Sequence, residues 1–157
     1  MDVSQIKWEG KVSTLLEQVR PEQLWPLLED FFGLNKWFPG LATCHGLQGV
    51  NGVPGCIRYC SGFGIKQKGD EEIKWSKERL VSIDREDMTL TYEIVDSNIG
   101  FESYVSTLKV FRDGTVVWWI SLNPVDGWQL PDLVGKYEIG LKRMVKNMEA
   151  AICNGQI

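Results

Sequence analysis

PDLVGKYEIGLKRMVKNMEAAIC, residues 131–153, carries apolar side chains at Val134, Tyr137, Leu141, Met144, Val145, Met148, Ala151 and Ile152. That three-and-four spacing persists to the end of the stretch and predicts one long amphipathic helix. Such a helix has a single apolar stripe to bury, so the rest of the chain must supply a face to receive it. Gly135 and Gly140 interrupt the helix. Each costs it about 1 kcal/mol relative to alanine, a cost that close packing or room for a ligand would explain.

The preceding residues read as that receiving face. Strand candidates at 42–49, 55–62, 71–83, 88–96, 101–112 and 115–123 are punctuated by Asn51-Gly52, the run from Asp84 to Asp87, Asn98-Ile99-Gly100 and Asp113-Gly114. Short connections between successive strands imply an antiparallel meander. Ahead of them, residues 6–16 read as a first strand through Ile6, Trp8, Val12 and Leu15. PEQLWPLLEDF, 21–31, then switches to helical spacing, with Pro21 suited to a helix start. Asn35 to Phe38 reads as a second short helix stopped by Pro39-Gly40. A curved sheet wrapped around the long helix satisfies both partners. No linker or repeat divides the chain, so residues 1–157 are expected to form a single α+β domain.

Composition narrows the function. A chain of 157 residues can bury roughly 68–70% of its unfolded surface, enough for a core with a hollow in it. Seven tryptophans and six phenylalanines would furnish either a bulky core or an aromatic-lined cavity. A net charge of −4 gives no support to nucleic-acid binding. No apolar run reaches the roughly 18 residues of a membrane span, and MDVSQIKWEGK lacks the order of a signal peptide. The expectation is a cytoplasmic monomer with a small-molecule substrate or apolar ligand as its partner. Cys44, Cys56, Cys60 and Cys153 fit a reduced set. With His45 the sole histidine, neither a metal site nor a nucleophilic triad has support, and His45 reads as a loop residue. Gly62-Phe63-Gly64 is not followed by what a dinucleotide loop needs. No metal and no cofactor are therefore expected.

Arg58, in GCIRYCSG at 55–62, and Glu78, in EEIKWSKERLVSID at 71–84, fall on neighbouring strands. Inside an apolar cavity they would be an anion anchor and a proton carrier; outside, they would be an ordinary surface ion pair. Arg58 shares its face with Cys56 and Cys60, small residues that are commonly buried. Glu78 shares parity with Ser76, Leu80 and Ser82, while Trp75, Val81 and Ile83 take the other face. Strict alternation thus favours an outward Glu78, and a β-bulge between Lys77 and Leu80 would permit either arrangement. Tyr92 shares parity with Leu90 and Ile94, and Tyr104 with Leu108 and Val110, which points both inward. Trp118-Trp119 puts one ring on each face, so only one can line a cavity.

WEGKV at 8–12, PEQLWPLLEDF at 21–31, GCIRY at 55–59, WSKERLVSID at 75–84 and the stretch from Gly100 to Tyr104 carry a resemblance that runs from about Lys7 to Cys153. The chain resembles the START-like, helix-grip proteins: lipid-transfer proteins, polyketide cyclases and the birch-pollen-allergen type of plant protein. Within them it is similar to plant lachrymatory factor synthases. The resemblance implies a curved seven-stranded antiparallel sheet around a long C-terminal helix, with two short helices after strand 1. It implies a cofactor-free isomerase or lyase-like enzyme that turns an alkenyl sulfenic acid into a thial S-oxide. Arg58 and Glu78 would be the catalytic pair, and Tyr92, Tyr104, Phe101 and Trp119 would bind substrate. FGIKQKGDEE at 63–72 is longer and more polar than in such synthases, and Phe101 stands where they tend to carry tyrosine, so substrate scope is expected to differ. The alternatives are a non-catalytic carrier or receptor of an apolar plant metabolite, or a cyclase of specialised metabolism that takes a larger substrate. Gate and latch loops of the hormone-receptor type are not found in the sequence.

Overall fold

The computed structural model describes residues 6–38, 40–62 and 73–157; the connection FGIKQKGDEE at 63–72 lies outside them. In chain order the elements are β1 (Trp8–Leu15), α1 (Pro21–Glu29), a 3-10 helix (Phe31–Lys36), β2 (Thr43–Gln48), β3 (Ile57–Ser61), β4 (Trp75–Asp84), β5 (Thr89–Ser97), β6 (Val105–Val110), β7 (Thr115–Leu122) and α2 (Leu130–Cys153). The strands form one sheet in the order β1-β7-β6-β5-β4-β3-β2. Every neighbouring pair is antiparallel. β1 and β2 are therefore the two edges, and α1 with the 3-10 helix carries the chain from one to the other.

The long helix does what its stripe predicts. Leu133, Leu141, Met144, Val145, Met148 and Ala151 are buried, facing inward strand residues such as Val12, Leu90, Leu108, Val116 and Ile120 in one core. Gly10 on β1 lets α2 rest directly on the sheet, since a Cβ there would lie 2.7 Å from Val134 Cγ2. The two helix glycines differ. A Cβ on Gly140 would lie 2.7 Å from Phe38 Cζ, so close packing explains its absence, whereas no atom of the described residues lies within 4 Å of the same point on Gly135. Neither α1 nor α2 offers a stretch apolar enough to cross a membrane, and no other described helix does.

Several element boundaries differ from those read in the sequence. α1 ends at Glu29 because Asp30 leaves the helical region at φ −72°, ψ 75°. The second short helix consequently starts at Phe31 rather than Asn35. β6 begins at Val105, not at 101, because Ser103 sits at φ 55° and breaks the extended run. Phe101 and Tyr104 thus stand on an irregular approach to the strand.

One carboxylate ties the two ends of the fold together. Glu149, buried on α2, accepts the backbone N–H groups of Glu17, Gln18 and Val19 in the turn between β1 and α1. Glu149→Ala leaves these donors unmet and is expected to cost about 3 kcal/mol in urea unfolding. Gly135→Ala is expected to raise stability by about 0.5–1 kcal/mol in the same measurement, because the helix gains propensity and meets no clash.

Candidate functional site

β3 and β4 place Arg58 directly opposite Glu78. On β3 the inward residues are Arg58 and Cys60, both buried, with Cys56 just ahead of the strand. On β4 the inward set is Ser76, Glu78 and Leu80, all buried, while Trp75, Lys77 and Arg79 face the convex side. Strict alternation therefore holds from Ser76 to Leu80. The pairing with β5 slips between Leu80 and Ser82, leaving Val81 as an extra, exposed residue and returning Ile83 to the core side. A second slip, opposite Lys77 and Glu78, leaves Val95 over on β5. The outward reading of Glu78 took Trp75, Val81 and Ile83 as markers of the inner face; Trp75 instead stacks on Tyr59 on the convex side, Val81 is the exposed extra residue of the bulge, and Ile83 reaches the core side only beyond it.

The ion pair is tightly organised. Glu78 Oε1 accepts Arg58 Nε at 2.9 Å and lies 2.7 Å from Nη2, while Oε2 accepts Ser76 Oγ at 2.8 Å. Arg58 Nη1 donates to the Phe31 carbonyl at 2.8 Å. The guanidinium carbon lies 3.8 Å from the Phe31 ring centre and 4.9 Å from that of Tyr92, a cation held between two aromatic faces. Burial is the largest single influence and opposes its charge, but Glu78 together with Cys60, Tyr92 and Cys44 outweighs it and pushes the Arg58 pKa up. Behind the pair, Cys60 Sγ lies 3.9 Å from Glu78 Oε1 and 3.6 Å from Cys44 Sγ. The hydrogen bond from Cys60, with help from Arg58, lowers the Cys44 thiol to about 7; the same bond, burial and Glu78 push Cys60 up.

Between the sheet and the N-terminal half of α2 lies a cavity of about 410 Å³. Glu78, Tyr92, Phe101, Tyr104, Trp118 and Tyr137 are among its walls, and Phe38, Leu41, Lys136, Ile139 and Arg143 also line it. Lys136, Ile139 and Arg143 are exposed and lie on one face of α2, which makes them the rim. Glu78 is the one acidic residue among the described lining residues. Arg58 does not line this cavity; it borders a crevice of about 20 Å³ behind Tyr92. Its N–H groups are directed at Glu78 and Phe31, so the expected anchoring of a ligand's oxygen has no matching geometry at Arg58.

The hydroxyls on the inner wall form a chain. Trp118 Nε1 donates to Ser106 Oγ at 3.1 Å, and Ser106 Oγ donates to Tyr104 Oη at 2.7 Å. Tyr104 Oη is also 2.7 Å from Tyr137 Oη and 3.3 Å from Tyr92 Oη. Burial, as the largest cause, pushes all three phenols well above their ordinary range. Phe101 stacks on Tyr104, with ring centres 5.9 Å apart.

Trp119 is a correction. It opposes Lys11 and Thr107 on the convex face and packs beside Lys11 and Phe111, while Trp118 takes the cavity side. Parity with Val116, Ile120 and Leu122, all buried, would have selected Trp118. Tyr137 was legible as part of the helix stripe but not as a cavity group, because only the tertiary fold brings its hydroxyl to Tyr104. Ser106 carried no signal. His45 lies on β2 rather than in a loop, and stacks on Tyr59 at 5.4 Å.

A long helix gripped by a curved seven-stranded antiparallel sheet defines the helix-grip class of fold. The family model described as polyketide cyclase / dehydrase and lipid transport matches residues 9–149, and the chain belongs to that family. Solved structures agree on the fold. Ginseng major latex-like protein 151 from Panax ginseng superposes with a TM-score of 0.72 at 19% identity, over 92% of this chain and 97% of that one. An uncharacterized protein from Bacillus thuringiensis gives 0.67 at 21% identity, over 89% and 98%. XoxI from Bacillus cereus gives 0.63 at 18% identity, over 98% and 99%.

Removing one partner of a buried ion pair strands the other charge. Arg58→Leu is expected to cost about 3–5 kcal/mol in urea unfolding, and the double variant Arg58→Leu/Glu78→Leu is expected to recover most of that loss.

Proposed function

We propose that the protein is a cofactor-free proton-transfer enzyme, an isomerase or cyclase, acting on a mostly apolar, oxygen-bearing small molecule. The observation that carries this reading is Glu78 in the wall of the 410 Å³ cavity, the sole acid among the described lining residues. Its Oε1 is occupied by Arg58 and approached by Cys60, whereas Oε2 holds, among the described residues, only the Ser76 hydroxyl. Oε2 is accordingly the atom that takes a proton from one position of the substrate and returns it to another. Nothing is gained or lost in such a step except the proton's place, which needs no metal and no redox partner. Arg58 acts as a positioning residue, fixing the carboxylate so that its free lone pair faces the hollow.

Cavity volume bears on the substrate. Pockets of about 300–1,000 Å³ suit ligands of drug size, so 410 Å³ favours a substrate larger than an alkenyl sulfenic acid. The sulfenic acid is the smallest member of the class to test: its S–OH proton would pass to Oε2 and then to carbon, giving the thial S-oxide. A carrier of apolar metabolites is the second reading, favoured by walls made mostly of Ile, Leu, Phe and Trp side chains.

Two substrates separate these readings. Phenylacetone in D₂O is expected to exchange its benzylic hydrogens faster with the protein present, as followed by NMR, and a freshly generated alkenyl sulfenic acid is followed for thial S-oxide. Glu78→Gln is expected to lower whichever rate is observed by about 10²–10⁴-fold, with ligand affinity nearly intact. If the wild type accelerates neither reaction, or Glu78→Gln works as well as wild type, the enzyme reading fails and the carrier remains.

A further inference from the structure

The hydroxyl chain on the inner wall holds one hydrogen more than it can use. Trp118, Ser106, Tyr104, Tyr92 and Tyr137 each bring one hydrogen, and four hydrogen bonds join them. Ser106 decides where the surplus goes. Its Oγ receives Nε1–H of Trp118 and gives its own hydrogen to Tyr104. The Tyr104 oxygen then has one lone pair left. Only one of Tyr92 and Tyr137 can donate into it; the other has to accept the Tyr104 hydrogen, and its own phenol hydrogen finds no partner among the described residues. Both candidates line the cavity. Because burial keeps the three phenols protonated, the surplus stays a neutral donor and does not ionise away.

We propose that Ser106 polarises this chain toward the hollow, so that Tyr92 and Tyr137 between them present one unpaired phenol O–H, and that this donor selects ligands bearing an acceptor oxygen (a carbonyl, enolate or S-oxide) over hydrocarbons of the same shape. Exchanging the donor between the two tyrosines needs only rotation of hydroxyls, so the wall offers it at either of two points. A buried donor left without an acceptor is penalised more than a formed bond is rewarded, which makes the selection a rejection of purely apolar ligands as well. The inference rests on the proposed function for the identity of the site, and adds Tyr137 as a binding residue with Ser106 as a positioning residue.

Benzophenone and 1,1-diphenylethylene differ only by C=O against C=CH₂, and benzophenone has no hydrogen beside its carbonyl for Glu78 to remove. Their affinities are therefore read whether or not the protein is an enzyme. Equilibrium dialysis of the wild type is expected to favour the ketone by about tenfold. Ser106→Ala frees the second Tyr104 lone pair, so both outer tyrosines can donate inward and the Tyr104 hydrogen turns into the space that Ser106 Oγ leaves. The ratio is expected to fall below about threefold, and a change of cavity shape cancels because both probes feel it. Equal binding of the two probes by the wild type overturns the proposal. So does an undiminished ratio in Ser106→Ala, with its folding checked by circular dichroism, since the phenols would then act independently of the serine.

Discussion

One helix cannot fill the concave face of seven strands. α2 is 24 residues long and buries its apolar stripe mainly from Leu141 onward, where Leu141, Met144, Val145 and Met148 join the core. Before that point Val134 rests on the edge strand at Gly10, while Glu78 on β4, Tyr92 and Ile94 on β5 and Trp118 on β7 border the separation that is the cavity. The hollow is thus a geometric remainder of wrapping a sheet around a cylinder, and the large side chains bordering it are the ones that keep it from collapsing. Phe101 stacked on Tyr104, and Trp118 edge-on to Tyr137 at 4.6 Å, brace the wall against the helix.

Within that hollow a carboxylate survives burial because its charge is answered locally. Glu78 receives the Nε–H of Arg58 and the Ser76 hydroxyl, with Arg58 Nη2 2.7 Å from Oε1. Arg58 in turn has the Phe31 carbonyl and two ring faces. An isolated ion would be expelled or neutralised at such a site. Here the cation is placed behind the carboxylate, away from the main cavity, so one face of Glu78 is stabilised while the other stays open. The price of this arrangement is fragility, since neither charge is tolerated without the other.

How much of this is written in the sequence depends on whether a feature is local. The stripe of α2 repeats over many residues and is unambiguous. Arg58 could be turned inward from Cys56 and Cys60 because alternation on β3 is unbroken. Glu78 could not, because the bulge at Val81 falls between it and the hydrophobic residues that would calibrate the face, and a bulge is set by cross-strand pairing with β5 that one strand's residues do not reveal. Trp118 was within reach of parity on β7. The partnership of Tyr137 with Tyr104 was not, since it joins residues 33 apart that meet only once the helix has been laid across the sheet.

The way α2 is fastened has a mechanical consequence. Its C-terminal half is embedded in the core and clamped through Glu149 to the turn before α1. Its N-terminal half faces empty space on one side, and the unencumbered Gly135 lies in that half. That half is nonetheless anchored near its start, where Leu133 is buried and Val134 rests on Gly10 of β1. The helix is therefore a beam supported at both ends, and the hollow is the span beneath it, crossed by the bond between Tyr137 and Tyr104.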